Sequence, residues 1–215
     1  MSNKKITQLI VGSIETNCWI YQYGENKAAV IDPGDEAGKI ISVIKKLDLT
    51  PEYILLTHGH FDHIAAVPDL AAAFPQAAIA IHSLDSEYLG VDAYKAHSLS
   101  LKAAMGSTAF LDMLWNDMPH PAVLLEEGGK IGPFTVLHIP GHTCGSAAFW
   151  DKEAGVLFTG DTLFRGDYGR TDLPGGNEGQ IFESLRRLFT MDAGIKVYPG
   201  HGEATAIGIE AAQNR

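Results

Sequence analysis

Cysteine is scarce: the 215 residues contain two, Cys18 and Cys144. That is too few for a disulfide framework, so the fold must rest on a packed core. Cys18 lies in the apolar run Asn17-Cys18-Trp19-Ile20-Tyr21 and reads as a small buried hydrophobe. No apolar run approaches the roughly 20 residues of a membrane helix. Met1-Ser2-Asn3-Lys4-Lys5 leads into no apolar h-region or cleavage site, which makes a cytoplasmic location and no membrane partner the expectation. Basic residues are also few, 16 against 26 acidic, for a formal charge of -10. Such a balance disfavours a surface that tracks phosphates, and nucleic acid is not an expected partner.

What remains is an ordinary globular composition, 46% hydrophobic and 20% charged. The length suits one α/β domain spanning 1–215, or two fused halves. Strand patterns cover Ile6 to Val11, Cys18 to Tyr23 and Ala28 to Ile31, with a turn at Tyr23 to Lys27. Ile40, Ile41, Val43, Ile44 and Leu47 then share a helical face. The run Tyr53-Ile54-Leu55-Leu56, bounded by Pro51, reads as a buried strand. A helix at Val67 to Ala73 and a strand at Ala77 to Ile81 follow. Later strands are expected at Val123 to Leu125, Phe134 to His138, Ala147 to Trp150, Val156 to Thr159 and Ile195 to Tyr198. Ile181, Leu185, Leu188 and Phe189 mark a helix between the last two strands.

The order repeats. Residues 18 to 60 run hairpin, strand ending in Asp32, amphipathic helix, strand, Gly-His. Residues 147 to 201 run hairpin, strand ending in Asp161, amphipathic helix, strand, Gly-His. Two related αβ halves packed sheet to sheet give a four-layer αββα sandwich, with the strand-end loops along one edge. Between the halves, residues 83 to 120 are Leu- and Ala-rich with helical spacing. They read as one or two short helices, serving either as a lid over a pocket or as a plain crossover.

The buried strand at 53–56 delivers Thr57-His58-Gly59-His60-Phe61-Asp62-His63. Three imidazoles and one carboxylate in six residues at a strand end are hard to explain as solvated loop polars. His58 and His60 share a direction by the period of two, so their rings can converge on one ion. Asp62 and His63 lie beyond the turn and address a neighbouring point. The other strand ends add His142, Asp161 and His201. The inventory is then His58, His60 and His142 for one ion, Asp62, His63 and His201 for a second, and Asp161 between them. Each ion would keep open coordination, the mark of a catalytic rather than a structural site.

His-x-His-x-Asp-His, Pro-Gly-His-Thr, Thr-Gly-Asp-Thr-Leu-Phe and Tyr-Pro-Gly-His-Gly occur in that order. Together they resemble the metallo-β-lactamase superfamily, and most closely its glyoxalase II-like (hydroxyacylglutathione hydrolase-like) branch. The resemblance covers nearly the whole chain. It implies the αββα fold and the same seven metal ligands. It also implies two divalent ions, zinc first with iron or manganese as alternatives. The implied activity is hydrolysis of thioesters of the S-2-hydroxyacylglutathione type by a hydroxide bridging the ions, with Asp62 able to orient or deprotonate that nucleophile. A small-molecule acyl thioester is then the partner, and the protein a monomer or small homo-oligomer.

The family's glutathione-contacting Lys and Tyr after the Gly-Asp-Thr-Leu-Phe motif fall on Arg170 and Asp172, and its later Tyr falls on Glu203. Arg170 and Arg165 are therefore the candidate substrate contacts, and Arg170 can clamp a carboxylate. Cys144, which follows Pro-Gly-His-Thr, is expected to be a passive buried thiol. Asp32, the counterpart of Asp161, is expected to accept hydrogen bonds from a ligand imidazole or from loop amides. Two alternatives within the superfamily are a persulfide dioxygenase using a single iron, and a lactonase or other hydrolase.

Overall fold

The computed structural model describes residues 4–213. Met1, Ser2 and Asn3, part of the stretch read for a leader, lie outside them. Two six-stranded sheets are formed, one by each half of the chain. In the first, β1 (Lys5–Val11), β2 (Thr16–Gln22) and β3 (Lys27–Ile31) form an antiparallel meander. Helix α1 (Ala37–Lys46) carries the chain to β4 (Thr50–Leu55), which lies parallel to β3. Short helices α2 (Phe61–Ile64) and α3 (Val67–Ala73) precede β5 (Ala78–His82), parallel to β4. A 3-10 turn (Ser83–Tyr88), α4 (Ala93–Met105) and α5 (Ala109–Leu114) then lead to the edge strand β6 (Val123–Leu125).

The second half begins with β7 (Lys130–Ile131), β8 (Phe134–His138), β9 (Ala147–Asp151) and β10 (Val156–Gly160), all antiparallel. Helix α6 (Glu178–Leu188) leads to β11 (Lys196–Pro199), parallel to β10. Strand β12 (Thr205–Ala206) and α7 (Ile207–Gln213) follow. The trio β2-β3-β4 with α1 and the trio β9-β10-β11 with α6 share one connectivity, as the sequence order suggested.

Period-two alternation sorts each strand between layers. From β2, Cys18 and Ile20 pack with Ile40 and Ile44 of α1 and Val67 and Leu70 of α3. The intervening Trp19 and Tyr21 face the other sheet and meet Phe134, Phe149 and Phe158. Leu137, Leu157 and Val197 cover the far side of the second sheet against Leu185 and Leu188 of α6. These three apolar clusters separate four layers, which is the expected αββα order. Both faces of the sheets are covered, so β2 is buried through its first six residues.

One boundary differs from the sequence reading. Strand β4 runs through Pro51 instead of stopping at it. Ala28 pairs with Pro51 and Ala29 with Tyr53, leaving Glu52 unpaired in a bulge. A proline lacking its N–H is tolerated at such an irregularity, and Tyr23 Oη donates to the displaced Glu52 at 2.6 Å.

The sheets are also tied by Asp151, whose side chain is buried and accepts from Tyr21 Oη at 2.7 Å, Lys4 Nζ at 2.8 Å and Ala154 N at 3.0 Å. Burial favours the neutral acid, but Lys4 and these donors outweigh it and hold the carboxyl below its usual range. A depressed carboxyl stabilises the fold above its unfolded value near pH ~3.9 and stops doing so as pH falls through the folded one. Asp151→Ala is expected to lower metal-free stability by about 3 kcal/mol at neutral pH, or ~6–12 °C in Tm. The gap should narrow below about pH 4 in thermal unfolding.

Candidate metal centre

The C-terminal ends of β3, β4, β10 and β11, with the β8–β9 loop, meet at one rim. β4 releases His58 and His60 into an extended loop, and α2 begins at Phe61, placing Asp62 and His63 on its first turn. The second half contributes His142 from the β8–β9 loop, Asp161 just after β10 and His201 just after β11. His58, His60 and His142 present ligand atoms that all lie within 4.8 Å of one another, as do Asp62, His63 and His201. His60 Nδ1 and His142 Nε2 are 2.8 Å apart. Asp161 stands between the groups: Oδ1 is 3.4 Å from His63 Nε2, and Oδ2 is 3.7 Å from His142 Nε2 and 3.5 Å from His201 Nε2. All seven residues nominated from the sequence are therefore brought together.

The far ring nitrogens are anchored. His142 Nδ1 lies 2.8 Å from the Arg170 carbonyl, which can only accept, so that nitrogen carries the proton and Nε2 offers its lone pair to the centre. Asp32 Oδ1 accepts from Thr57 N at 2.8 Å and Oδ2 from Thr57 Oγ1 at 2.7 Å. With its own proton given to Asp32, Thr57 Oγ1 is left to accept from His58 Nδ1 at 3.1 Å. His63 Nδ1 also meets Asp32 Oδ2, at 3.2 Å. Asp32 thus orients one imidazole directly and a second through Thr57.

The donor set fits divalent ions. Among the described residues, His58 Nε2 and Asp161 Oδ1 are buried with no hydrogen-bond partner, an arrangement that costs free energy unless something completes it. Burial and the adjacent imidazoles push His58 well below its usual range, and the same causes take His60 down to about 3. Both rings are neutral and keep lone pairs for a cation. Burial would also lower His63, but the charges of Asp161 and Asp62 hold it well above its usual value. Against the pull of burial, His63 and the other nearby imidazoles keep Asp62 and Asp161 ionised. Neutral imidazoles at His58 and His60 beside ionised Asp62 and Asp161 are the forms in which these groups ligate a cation.

A cavity of about 370 Å³ opens onto this rim, with His60, Asp62, His142, Asp161 and His201 at one end. Its walls include Leu101, Ala104 and Met105 of α4 together with Phe164 and Leu173. Part of the 83–120 segment therefore forms a wall of the cavity. Arg170 also lines the cavity, yet its guanidinium is paired with Asp172 at 2.7 and 2.8 Å. Arg165 pairs with Glu203 and is not among the lining residues. Cys144 is exposed rather than buried, its thiol 3.4 Å from the Gly175 carbonyl.

Sequence reasoning passed over two groups. Asn17 clamps the His201 loop to β2, its Nδ2 donating to Pro199 O at 3.1 Å and Gly202 O at 2.9 Å. Its only signal was an amide opening an otherwise apolar strand. Asp85, in the 3-10 turn, is buried. Its signal was an acidic residue close behind the end of β5, on the same side of the sheet as the other site-bearing loops.

The sequence pattern of the Metallo-beta-lactamase superfamily matches residues 12–201. Hydroxyacylglutathione hydrolase GloC of Haemophilus influenzae is 35% identical over 205 residues, covering 95% of this chain and 93% of the relative. Among solved structures, TTHA1623 in a di-iron-bound form superposes with a TM-score of 0.84 at 38% identity, covering 96% and 98% of the two chains. The BLEG-1 B3 metallo-beta-lactamase gives 0.84 at 32%, covering 98% of each. ETHE1 from Myxococcus xanthus gives 0.74 at 27%, covering 98% of this chain and 83% of that one.

Proposed function

The chain belongs to the metallo-β-lactamase superfamily, a group of metal-dependent hydrolases, and on that premise we propose that it is a dinuclear thioester hydrolase. The substrate class is a small acyl thioester of the S-2-hydroxyacylglutathione type. The observation that carries the reading is Asp161: one carboxylate set between two groups of three ligands, within 3.7 Å of imidazoles from both. A single ion could also use that carboxylate; the second trio, Asp62, His63 and His201, with ligand atoms within 4.8 Å of one another, is what favours two ions. The similarity to a protein named hydroxyacylglutathione hydrolase supports the thioester class. The same reading takes 1–215 as one catalytic domain, cytoplasmic, acting as a monomer or small homo-oligomer.

His58, His60 and His142 would hold the first ion, Asp62, His63 and His201 the second, with Asp161 shared. His and Asp donors suit zinc, iron and manganese; we take zinc as the expected occupant, with the di-iron form of the similar structure as the alternative. Bound there, two divalent ions supply a Lewis acid for the acyl carbonyl and bring the pKa of bound water towards neutrality. The protein contributes orientation. The Arg170 carbonyl, Thr57 and Asp32 fix three imidazoles by their far nitrogens. Asp62, ionised and 3.4 Å from His201 Nε2, sits at the cavity end where it can orient the attacking water. Leu101, Met105, Phe164 and Leu173 exclude bulk water from the thioester.

Metal analysis of the purified protein together with hydrolysis of S-lactoylglutathione tests the reading. Two ions per chain and thiol release are expected. Oxygen uptake with glutathione persulfide by a protein holding one iron, or opening of a β-lactam with no thioester cleavage, would replace it.

A further inference from the structure

The His58–His60 loop comes from the first sheet and the His142 loop from the second, so the first ion position depends on how far apart two independently rooted loops stand. Their bases are joined by a backbone hydrogen bond, Ala147 N to Thr57 O at 2.8 Å, and nearer the ligands a buried carboxylate bonds to both. Asp85 Oδ2 accepts from Gly59 N at 2.9 Å and from Thr143 Oγ1 at 2.7 Å, and Oδ1 accepts from Gly145 N at 2.6 Å. Gly59 lies between His58 and His60, and Thr143 follows His142 directly. The carboxylate is 1% exposed and its three donors all come from these loops.

The approach is close enough to dictate residue type in both loops. A Cβ on Gly145 would lie 2.6 Å from the Asp85 carboxylate, and one on Gly59 would lie 2.0 Å from the ring of Tyr88, in the same 3-10 turn. Thr143 is braced in turn: Ser146 Oγ accepts from Thr143 N at 3.0 Å and lies 2.8 Å from Thr143 Oγ1.

We propose that Asp85 is a positioning residue for the first metal position, holding the His58–His60 loop and the His142 loop at the separation at which their three nitrogens converge. This rests on the dinuclear reading above. Asp85 touches no ion and no substrate. It acts by joining the two loops, so its loss should weaken the three-histidine position and spare the one formed by Asp62, His63 and His201. Removal of a partner that orients ligands in this way lowers metal affinity by roughly 10–100-fold.

The test is titration of the metal-free protein with cobalt(II), followed by visible absorption. The parent should take up two equivalents in two resolved steps, and His142→Ala identifies the step that belongs to the first position. Asp85→Asn, of equal size, should weaken that step by roughly 10–100-fold and leave the other within about threefold. Thr143→Val should weaken the same step more mildly and Thr143→Ser should restore it; this pair decides the matter if Asp85→Asn does not fold. Asp151→Ala, destabilised but remote from the rim, should leave both steps in place. Equal weakening of both steps by Asp85→Asn, or none, overturns the inference while the dinuclear centre stands. A parent chain that takes up no cobalt overturns the centre and this inference with it.

Discussion

Asp161→Asn is expected to lower kcat/KM for the thioester by at least about a thousandfold and to reduce bound metal from two ions to one or none. The substitution changes one atom and keeps the shape. It removes the negative charge that lies 3.4 Å from His63, 3.5 Å from His201 and 3.7 Å from His142. Neither neighbouring carboxylate replaces it: Asp62 lies near His63 and His201 of one group, and Asp32 holds His63 Nδ1 and, through Thr57, His58 Nδ1 from behind, on the nitrogens turned away from the centre. A thousandfold loss corresponds to about 4 kcal/mol of transition-state stabilisation, within the several kcal/mol that a Lewis-acid centre supplies. Metal analysis alongside steady-state kinetics decides it. Retention of two ions and near-parental turnover would remove the argument for a dinuclear engine.

The parts of this fold that could be read in the sequence are those with a period. The spacing of Ile40 and Ile44 places them on one helical face, and the structure buries both in the cluster between α1 and the first sheet. The ligands were legible for another reason: they cluster in sequence at a strand end, or stand at equivalent strand ends of the two halves. What stayed hidden lacks both properties. Asp85 acts through backbone amides of residues 26 and 60 positions away, and no local pattern encodes that. Helix α4 is mixed in Ala, Ser and Leu, with Leu99 and Met105 exposed while Ala96 and His97 are buried, so its composition does not announce which face borders the cavity. The two-residue strands β7 and β12 are too short to show any period.

The substrate side was legible in residue identity but not in outcome. Arg170 stands where the family pattern has a cation-bearing contact, and it does line the cavity. Its guanidinium is nevertheless paired two residues on with Asp172, and Arg165 with Glu203. A sequence displays charges one at a time, whereas the field at a site depends on which of them are already neutralised.

Gly200→Ala should rank next to Asp161→Asn in damage although it removes no functional group. A Cβ there would lie 2.0 Å from Asp161 Oδ1 and 2.7 Å from His63 Cε1, well inside van der Waals contact. The backbone has no room to retreat: Gly200 N donates to Gly160 O at 2.8 Å and Asn17 N donates to Gly200 O at 2.7 Å, so the residue is pinned to both halves. His63 is held from behind by Asp32, leaving the Asp161 carboxylate as the group that must yield. Its displacement breaks the carboxylate link that faces both ligand groups from the centre. Loss of at least one bound ion and a fall of about a hundredfold or more in kcat/KM are expected, since a misplacement of about 1 Å costs on that order. Gly202→Ala is the paired comparison. Gly202 has φ +74° and nothing within 4 Å of the added carbon, so it should show only backbone strain of about 1 kcal/mol, seen as a lower Tm with both ions retained. If the two variants behave alike in metal content, the steric argument at Gly200 is wrong, and the site tolerates movement of Asp161 that this geometry forbids.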